Sequence, residues 1–229
     1  PIGIFLDGIY VPRSSNSNLD LFDVEQVEVL RGPQGTLFGR NTTAGAIVVR
    51  SKRPTGEFGA KAKLTVGEYG RRDLRVAVES PLTDKINAKI SVLQQKSDGF
   101  YKARYMTHPD YSVAAQMGYD YPGDYEDTGG DDVFAVRPIL EFNISDTFQL
   151  TLIGEYSKDR SEPTPAINAS NPNQILARVY GQLGGGYTKN IDLNFGPGFI
   201  HADIKGLTVE AIWELDSGTL TSLTNYRET

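Results

Sequence analysis

From about residue 57 onward, apolar and polar residues alternate along the chain with a period of two. Such alternation is typical of β-strands that have one apolar and one polar face. Seven segments show it, the last more weakly than the others: residues 58–66, 73–79, 86–92, 134–142, 148–156, 207–215 and 219–227. The pattern therefore predicts seven strands, each long enough to cross a membrane.

The links between these segments are of two kinds, short polar turns and long excursions. Turn-forming sequences lie at residues 81–85, 143–147 and 216–218. Between them come a short loop near 68–71 and two excursions, at about 98–132 and 158–205. An outer-membrane barrel has short turns at one end and long loops at the other. An ordinary antiparallel sheet with one wet face explains the alternation alone equally well.

The first 54 residues follow another pattern. Short strands are predicted at residues 2–7, 25–30 and 46–50. Between the last two, Pro33 is placed to open a helical turn and Gly39 to close it, in keeping with the preference for Pro at the start and Gly past the end of a helix. We expect a small compact unit here, distinct from the alternating strands.

The amino-acid composition excludes several kinds of chemistry and binding. The 229 residues include no cysteine and two isolated histidines, His108 and His201. Disulfides and thiol chemistry are therefore excluded, and no nucleophile, base and orienting group can be assembled, so we predict that the chain is not an enzyme. The net charge of −6 and the lack of a basic stripe argue against binding of nucleic acid.

An acidic, tyrosine-rich stretch between Asp98 and Asp132 contains eight of the acidic residues. Tyrosine presents a flat apolar ring and a hydroxyl group, which suits contact with aromatic or sugar-like solutes. The predicted ligand contacts are Tyr101, Tyr105, Tyr111, Tyr119, Tyr121 and Tyr125.

The same stretch holds carboxylates of the kind that bind calcium. They are Asp124, Glu126, Asp127, Asp131 and Asp132. Their spacing does not fit an EF-hand, so we interpret them as a solvated loop and predict no metal site.

A group of short motifs lies between residues 23 and 54. They are VEVLRGP at 27–33, GTLFG at 35–39, GAI at 45–47 and KRP at 52–54. Together they resemble the C-terminal half of the plug domain of TonB-dependent outer-membrane receptors. Residues 2–11 resemble the preceding plug strand with its Asp-Gly turn. A plug followed by strands with long loops is the order in this family, so the resemblance extends over the whole chain, although the later strands match by pattern and not by motif.

The resemblance implies an all-β dominated fold. Residues 1–54 would be the C-terminal half of a plug, a small α+β unit, and residues 55–229 the first seven or so antiparallel strands of an incomplete transmembrane β-barrel of about 22 strands. The signal peptide, the TonB-contacting segment, the first half of the plug and most of the barrel would lie outside the chain. Because seven strands cannot close around a lumen, we predict a curved, open sheet with the plug segment on its polar face.

The resemblance also implies a function, the TonB-dependent uptake of a scarce solute, most often a ferric siderophore, across the bacterial outer membrane. The expected partners are outer-membrane lipid, TonB through a segment outside this chain, and a small-molecule or iron-complex ligand; no cofactor is expected. A passive porin-like channel and a soluble β-rich binding domain are the alternatives.

Within the plug motif the resemblance assigns a structural or gating role to seven residues. They are Glu28, Arg31, Gly32, Pro33, Gly35, Gly39 and Arg40. The glycines allow sharp bends. We expect Arg31 to pair with glutamates on barrel strands outside this chain, because ion pairs specify a docked arrangement that a modest change can release. The alternative is that Arg31 caps a turn within the plug.

Overall fold

The computed structural model describes residues 2–11, 23–105, 125–162, 190–193 and 200–229. Within these ranges the chain forms three β-sheets and one short helix. No helix in this part of the chain is long and apolar enough to cross a membrane.

The first sheet and the helix form a small unit. Its strands are β1 (Ile2–Leu6), β2 (Ile9–Val11), β3 (Val24–Arg31) and β4 (Gly45–Ser51), in the order β2-β1-β4-β3. The strands β1 and β4 are parallel and the other pairs are antiparallel. The three predicted strands are confirmed, and β2 was missed. It pairs back on β1 through Asp7 and Gly8, whose positive φ angles of 49° and 81° fit the tight turn that Asp-Gly favours.

Apolar clusters cover both faces of this sheet. On one face Phe5, Ala46 and Val48 pack with Tyr10 and Phe38. On the other, three buried residues pack with partly buried neighbours: Leu6, Val11 and Val49 with Ile4, Val24 and Ile47. Burial on both faces explains why β1 and β4 are continuous apolar runs without alternation.

The helix α1 (Gly35–Phe38) is a single turn whose N-cap is Gln34. Pro33 therefore lies before the cap and not at the first helical position, which corrects the predicted boundary by two residues. The N–H of Gln34 donates to the carbonyl oxygen of Thr42 at 2.9 Å, which fixes this residue at the start of the turn. Gly39 ends the helix as predicted, with φ of +74° and its N–H bonded to the carbonyl of Gly35 at 3.0 Å.

The remaining strands follow in chain order. They are β5 (Gly59–Val66), β6 (Arg72–Thr83), β7 (Ile86–Lys96), β8 (Tyr101–Tyr105), β9 (Glu126–Thr128), β10 (Asp132–Ser145), β11 (Phe148–Asp159), β12 (Asn190–Leu193), β13 (Ala202–Leu215) and β14 (Gly218–Glu228). Seven of them form one antiparallel sheet, which we call the wall, in the order β14-β13-β11-β10-β7-β6-β5. The seven predicted strands are confirmed, and the sheet is open as expected, with β5 and β14 at its edges.

The wall strands extend beyond the alternating segments. Strand β13 begins at Ala202 because backbone pairing with β11 and β14 continues through polar residues such as Lys205.

The third sheet, β12-β8-β9, was missed altogether. It lies in the two predicted excursions and joins them, since β12 from the second pairs in parallel with β8 from the first.

The wall has an inward face, which contacts the small unit, and an outward face, which is turned away from it. The exposure of apolar side chains on these faces differs from that in a water-soluble sheet. On the outward face apolar side chains are exposed, as Leu64 and Val66 show at 69% and 75%. On the inward face polar and apolar side chains are buried together, as Asp73, Thr151 and Ile139 show at 2% each. A soluble sandwich would pack its apolar faces together in a dry core. An exposed apolar outward face opposite a face that carries buried polar groups is what a strand in an outer-membrane barrel presents.

Candidate functional site

The small unit contacts the inward face of the wall through a buried ion pair. The Oδ2 atom of Asp23 lies 2.8 Å from Nζ of Lys89 on β7, and the two side chains are 8% and 2% exposed. Ser91, on the same face of β7, donates its hydroxyl to the same oxygen at 2.7 Å. The lysine also donates to the backbone carbonyl of Lys52 at 3.2 Å. Both charges are therefore paired and hydrogen-bonded, which buried charges require.

A second contact runs through Ser51, the last residue of β4. Its N–H and its hydroxyl donate to the two carboxylate oxygens of Asp7, each at 2.8 Å. Its Oγ atom accepts a hydrogen bond from Nη1 of Arg137 on β10 at 3.3 Å. One serine thus links the turn after β1, the end of β4 and the wall.

The third contact follows directly along the chain. Nη2 of Arg53 donates to both carboxylate oxygens of Glu210 on β13, at 3.2 and 3.1 Å. Nη1 of the same arginine is buried and has no hydrogen-bond partner among the residues that the structure describes. Two residues further along the chain, the N–H of Thr55 donates to the carboxylate of Glu79 on β6 at 3.1 Å. Residues 51–55 therefore make hydrogen bonds to four strands of the wall, β6, β7, β10 and β13.

These contacts make the interface polar. Hydrogen bonds of this kind exchange with water at a net cost of about 1 kcal/mol each, whereas removing one partner of a buried charge pair costs more. Sequence reasoning missed the interface residues. The alternation placed Lys89 and Glu210 on polar strand faces, but no periodic signal shows what a polar face meets.

The predicted plug-motif residues lie away from this interface. Glu28 forms a loose ion pair with Arg50 at 3.8 Å, within the small unit. Gly32 has a φ of +82° and donates its N–H to the carbonyl of Ala44 at 3.2 Å. Arg31 and Arg40 are exposed, and their side chains have no ion-pair partner among the described residues.

The proposed pairing of Arg31 with barrel glutamates stays a prediction. The alternative, turn capping by this residue, also stays a prediction; its backbone carbonyl accepts a hydrogen bond from Nε2 of Gln34 at 3.4 Å. The guanidinium takes no part in that bond. Pro33, Gly35 and Gly39 shape the single helical turn described above.

The predicted ligand tyrosines are described only in part. Tyr101 and Tyr105 lie on β8, Tyr125 precedes β9, and Tyr111, Tyr119 and Tyr121 lie outside the described residues. The ring of Tyr101 meets Phe100 edge to face, with centroids 4.8 Å apart. Phe100 in turn meets Tyr69, from the short loop after β5, at 5.2 Å. Sequence reasoning did not group Tyr69 and Phe100 with the tyrosines, and their aromatic contact is not a periodic feature.

The acidic residues near these tyrosines form ion pairs and hydrogen bonds with different neighbours. Asp127 contacts Lys102 at 2.5 Å, Asp132 contacts Lys96 at 3.6 Å, and the N–H of Asp131 donates to Ser97 at 3.1 Å. Glu126 lies on β9, and Asp124 and His108 lie outside the described residues. Within the described ranges no group of three or more His, Asp or Glu side chains could hold a metal ion.

Comparison with known proteins finds a family match for the first part of the chain and more distant relatives of a longer stretch. Residues 1–46 match the family model of the TonB-dependent Receptor Plug Domain. The ferrioxamine B receptor of Salmonella typhimurium LT2 is 30% identical over 101 residues, which are 42% of this chain and 14% of that receptor. The catecholate siderophore receptor Fiu of Escherichia coli K12 is 33% identical over 121 residues, which are 50% of this chain and 15% of Fiu. The matches thus span about one seventh of these relatives.

A solved structure extends the likeness to the later strands. The ferric yersiniabactin uptake receptor FyuA from Yersinia pestis superposes with a TM-score of 0.71, covering 99% of this chain and 31% of FyuA at 17% sequence identity. At that identity the likeness shows the fold. The predicted architecture, a plug segment followed by barrel strands, is therefore confirmed.

Proposed function

We propose that this chain, which has the plug segment and barrel strands of a TonB-dependent outer-membrane receptor, serves the energy-coupled uptake of an iron–siderophore complex across the bacterial outer membrane. In this proposal residues 1–54 are the rear half of the plug, and residues 55–229 are the first strands of the barrel with their loops. The partners are lipid at the outward face, TonB through a segment outside the chain, and the iron complex. Receptors of this family are transporters and not enzymes.

One observation carries the proposal: ion pairs and hydrogen bonds hold the small unit against the wall. The central contact is the buried pair of Asp23 and Lys89, supported by Ser91 and by the bond from Arg137 to Ser51. Bonds of this kind can be replaced by bonds to water one at a time. A plug that must shift to let a solute pass needs that property.

The class of solute is supported by the relatives. The matched curated proteins are receptors for ferrioxamine B and for catecholate siderophores. The porin-like alternative has less support, because an open channel has no use for a folded unit bonded across its inward face.

The test uses the whole receptor that contains this chain, produced in a bacterial strain that lacks its own siderophore receptors. Uptake of radioactive iron would be measured with ferrioxamine B and with a ferric tris-catecholate, in cells with and without TonB. We expect uptake of at least one complex, lost without TonB and on collapse of the proton gradient. Uptake that persists without TonB would replace the proposal with a passive channel, and no uptake of either complex would refute the siderophore assignment.

A further inference from the structure

The outward face of the wall carries pairs of aromatic rings near both ends of its strands. Near the short turns, Phe148 on β11 and Trp213 on β13 meet edge to face, with centroids 6.0 Å apart. Near the two excursions, Phe134 on β10 and Tyr156 on β11 meet with centroids 6.4 Å apart. Aromatic girdles mark the two membrane interfaces of an outer-membrane barrel, and the long loops lie on its extracellular side. Phe134 and Tyr156 therefore lie at the level of the outer-leaflet head groups.

Two exposed lysines occupy the outward face at this same level. Lys158 lies two residues beyond Tyr156 on β11, and Lys205 lies directly opposite Tyr156 on β13. Residues two apart in a strand point to the same face, so both lysines share the outward face with the tyrosine. Lys158 is opposite Asp203, which makes the two lysines diagonal neighbours, with Cβ atoms about 7 Å apart. One anionic group can therefore contact both ammonium groups.

The carboxylates nearby leave both lysines without an ion pair. Asp203 stands opposite Lys158, but its two oxygens accept hydrogen bonds from Nη2 of Arg160, at 2.7 and 2.9 Å. Glu228 on β14 stands opposite Lys205 and forms no ion pair with it in the part of the chain that the structure describes. Strands β11 and β13 have a paired strand on both sides, so the sheet around the two lysines is complete.

We propose that Lys158 and Lys205 together bind a phosphate group of an outer-leaflet lipid of the lipid A type. Such a lipid carries phosphate at head-group level, directly above its acyl chains. Lysine binds phosphate as a point charge, and the positions below the two lysines suit the acyl chains, since Tyr156 and Leu207 are 38% and 48% exposed on the same face. The inference uses the outer-membrane location of the wall and does not depend on which solute is transported.

The test measures lipid binding to the whole receptor, purified in a non-ionic detergent and freed of its own lipid. Native mass spectrometry would follow the binding of lipid A that carries both phosphates. We expect Lys158→Gln/Lys205→Gln to weaken this binding about thirtyfold, because two cations near an anionic group are lost. A matched control, Lys61→Gln/Lys63→Gln, removes the same charge from the inward face of β5. The control and Lys158→Arg/Lys205→Arg should keep the wild-type affinity.

Dephosphorylated lipid A gives the second readout. It should bind the wild type more weakly than phosphorylated lipid A does, and it should bind the glutamine variant and the wild type equally, because the lysines then have no phosphate to contact. Heat-modifiable migration checks that each variant is folded. The proposal is overturned if the glutamine variant keeps its affinity for phosphorylated lipid A, if the inward-face control loses as much, or if the wild type does not distinguish the two lipids. Iron uptake plays no part in this measurement, so a failure of the proposed function would leave the result intact.

Discussion

The interior of the small unit and its contact with the wall are built from opposite kinds of interaction. Inside the unit, Phe5 packs against Phe38 and Tyr10 with ring centroids 4.8 and 5.5 Å apart, and Val49 is almost fully buried. At the wall, Asp23 and Ser51 make charged and polar bonds instead. Apolar burial depends on excluding water, while polar bonds can be replaced by water one at a time. We therefore expect the fold of the unit to survive the loss of its contacts with the wall.

The largest effect should come from the unit's interior. Phe5→Ala should lower the stability of the small unit by about 4 kcal/mol, because a buried aromatic ring is replaced by a cavity. Hydrogen exchange of the β4 amides in the whole receptor measures this. Leu37→Ala is the control, since that side chain is 83% exposed, and its exchange should not change. Equal effects of the two variants would refute the contrast between interior and surface.

The buried ion pair should come next. Lys89→Met should weaken docking of the small unit by about 3 kcal/mol, because Asp23 is left as a buried charge without its partner. Faster exchange should appear at Lys52, whose N–H donates to the carbonyl of Asp23, while the β1 and β4 amides keep their protection. Adding Asp23→Leu should recover most of the loss, since an apolar pair leaves no charge unpaired. A double variant as weak as the single one would show that the unpaired charge of Asp23 is not the cause of the loss.

A smaller effect is expected at Ser51. Ser51→Ala removes the acceptor of Arg137 and one of two bonds to Asp7, and should weaken docking by about 1–2 kcal/mol. The backbone N–H of residue 51 still donates to Asp7, which limits the loss. Ser80→Ala on β6 serves as the control, because among the described residues its hydroxyl donates to the neighbouring carbonyl of Pro81 and to no residue of the small unit. An effect as large as that of Lys89→Met would mean that the interface acts as one cooperative network.

The smallest effect should lie in the third sheet. The ion pair of Lys102 and Asp127 is half exposed on both sides, so a double-mutant cycle should give less than about 1 kcal/mol, and high salt should reduce it further. Hydrogen exchange of the β8 and β9 amides measures the coupling. A coupling above that of the Asp23 and Lys89 pair would contradict the ranking by burial.

The sequence predicted the elements that have a periodic or local signal. The seven wall strands followed from a period of two, and Gly39 marked the end of the helical turn. Strand β2 has three residues, too few for alternation to show. The third sheet was missed because β8 and β12 pair across more than eighty residues, and a short local pattern does not encode such a partner. The interface residues were visible as polar positions, but the partner of Lys89 depends on where Asp23 is held by its backbone bond to Lys52.

The parallel pairing of β8 with β12 has a consequence for how such chains can diverge. Lys102 to Tyr105 pair in register with Asn190 to Leu193, so each of the two excursions provides a strand with which the other pairs. A length change between β7 and β8 would displace both at once. Evolution should therefore alter the two excursions together, and recombination that exchanges one of them between relatives should succeed less often than exchange of both.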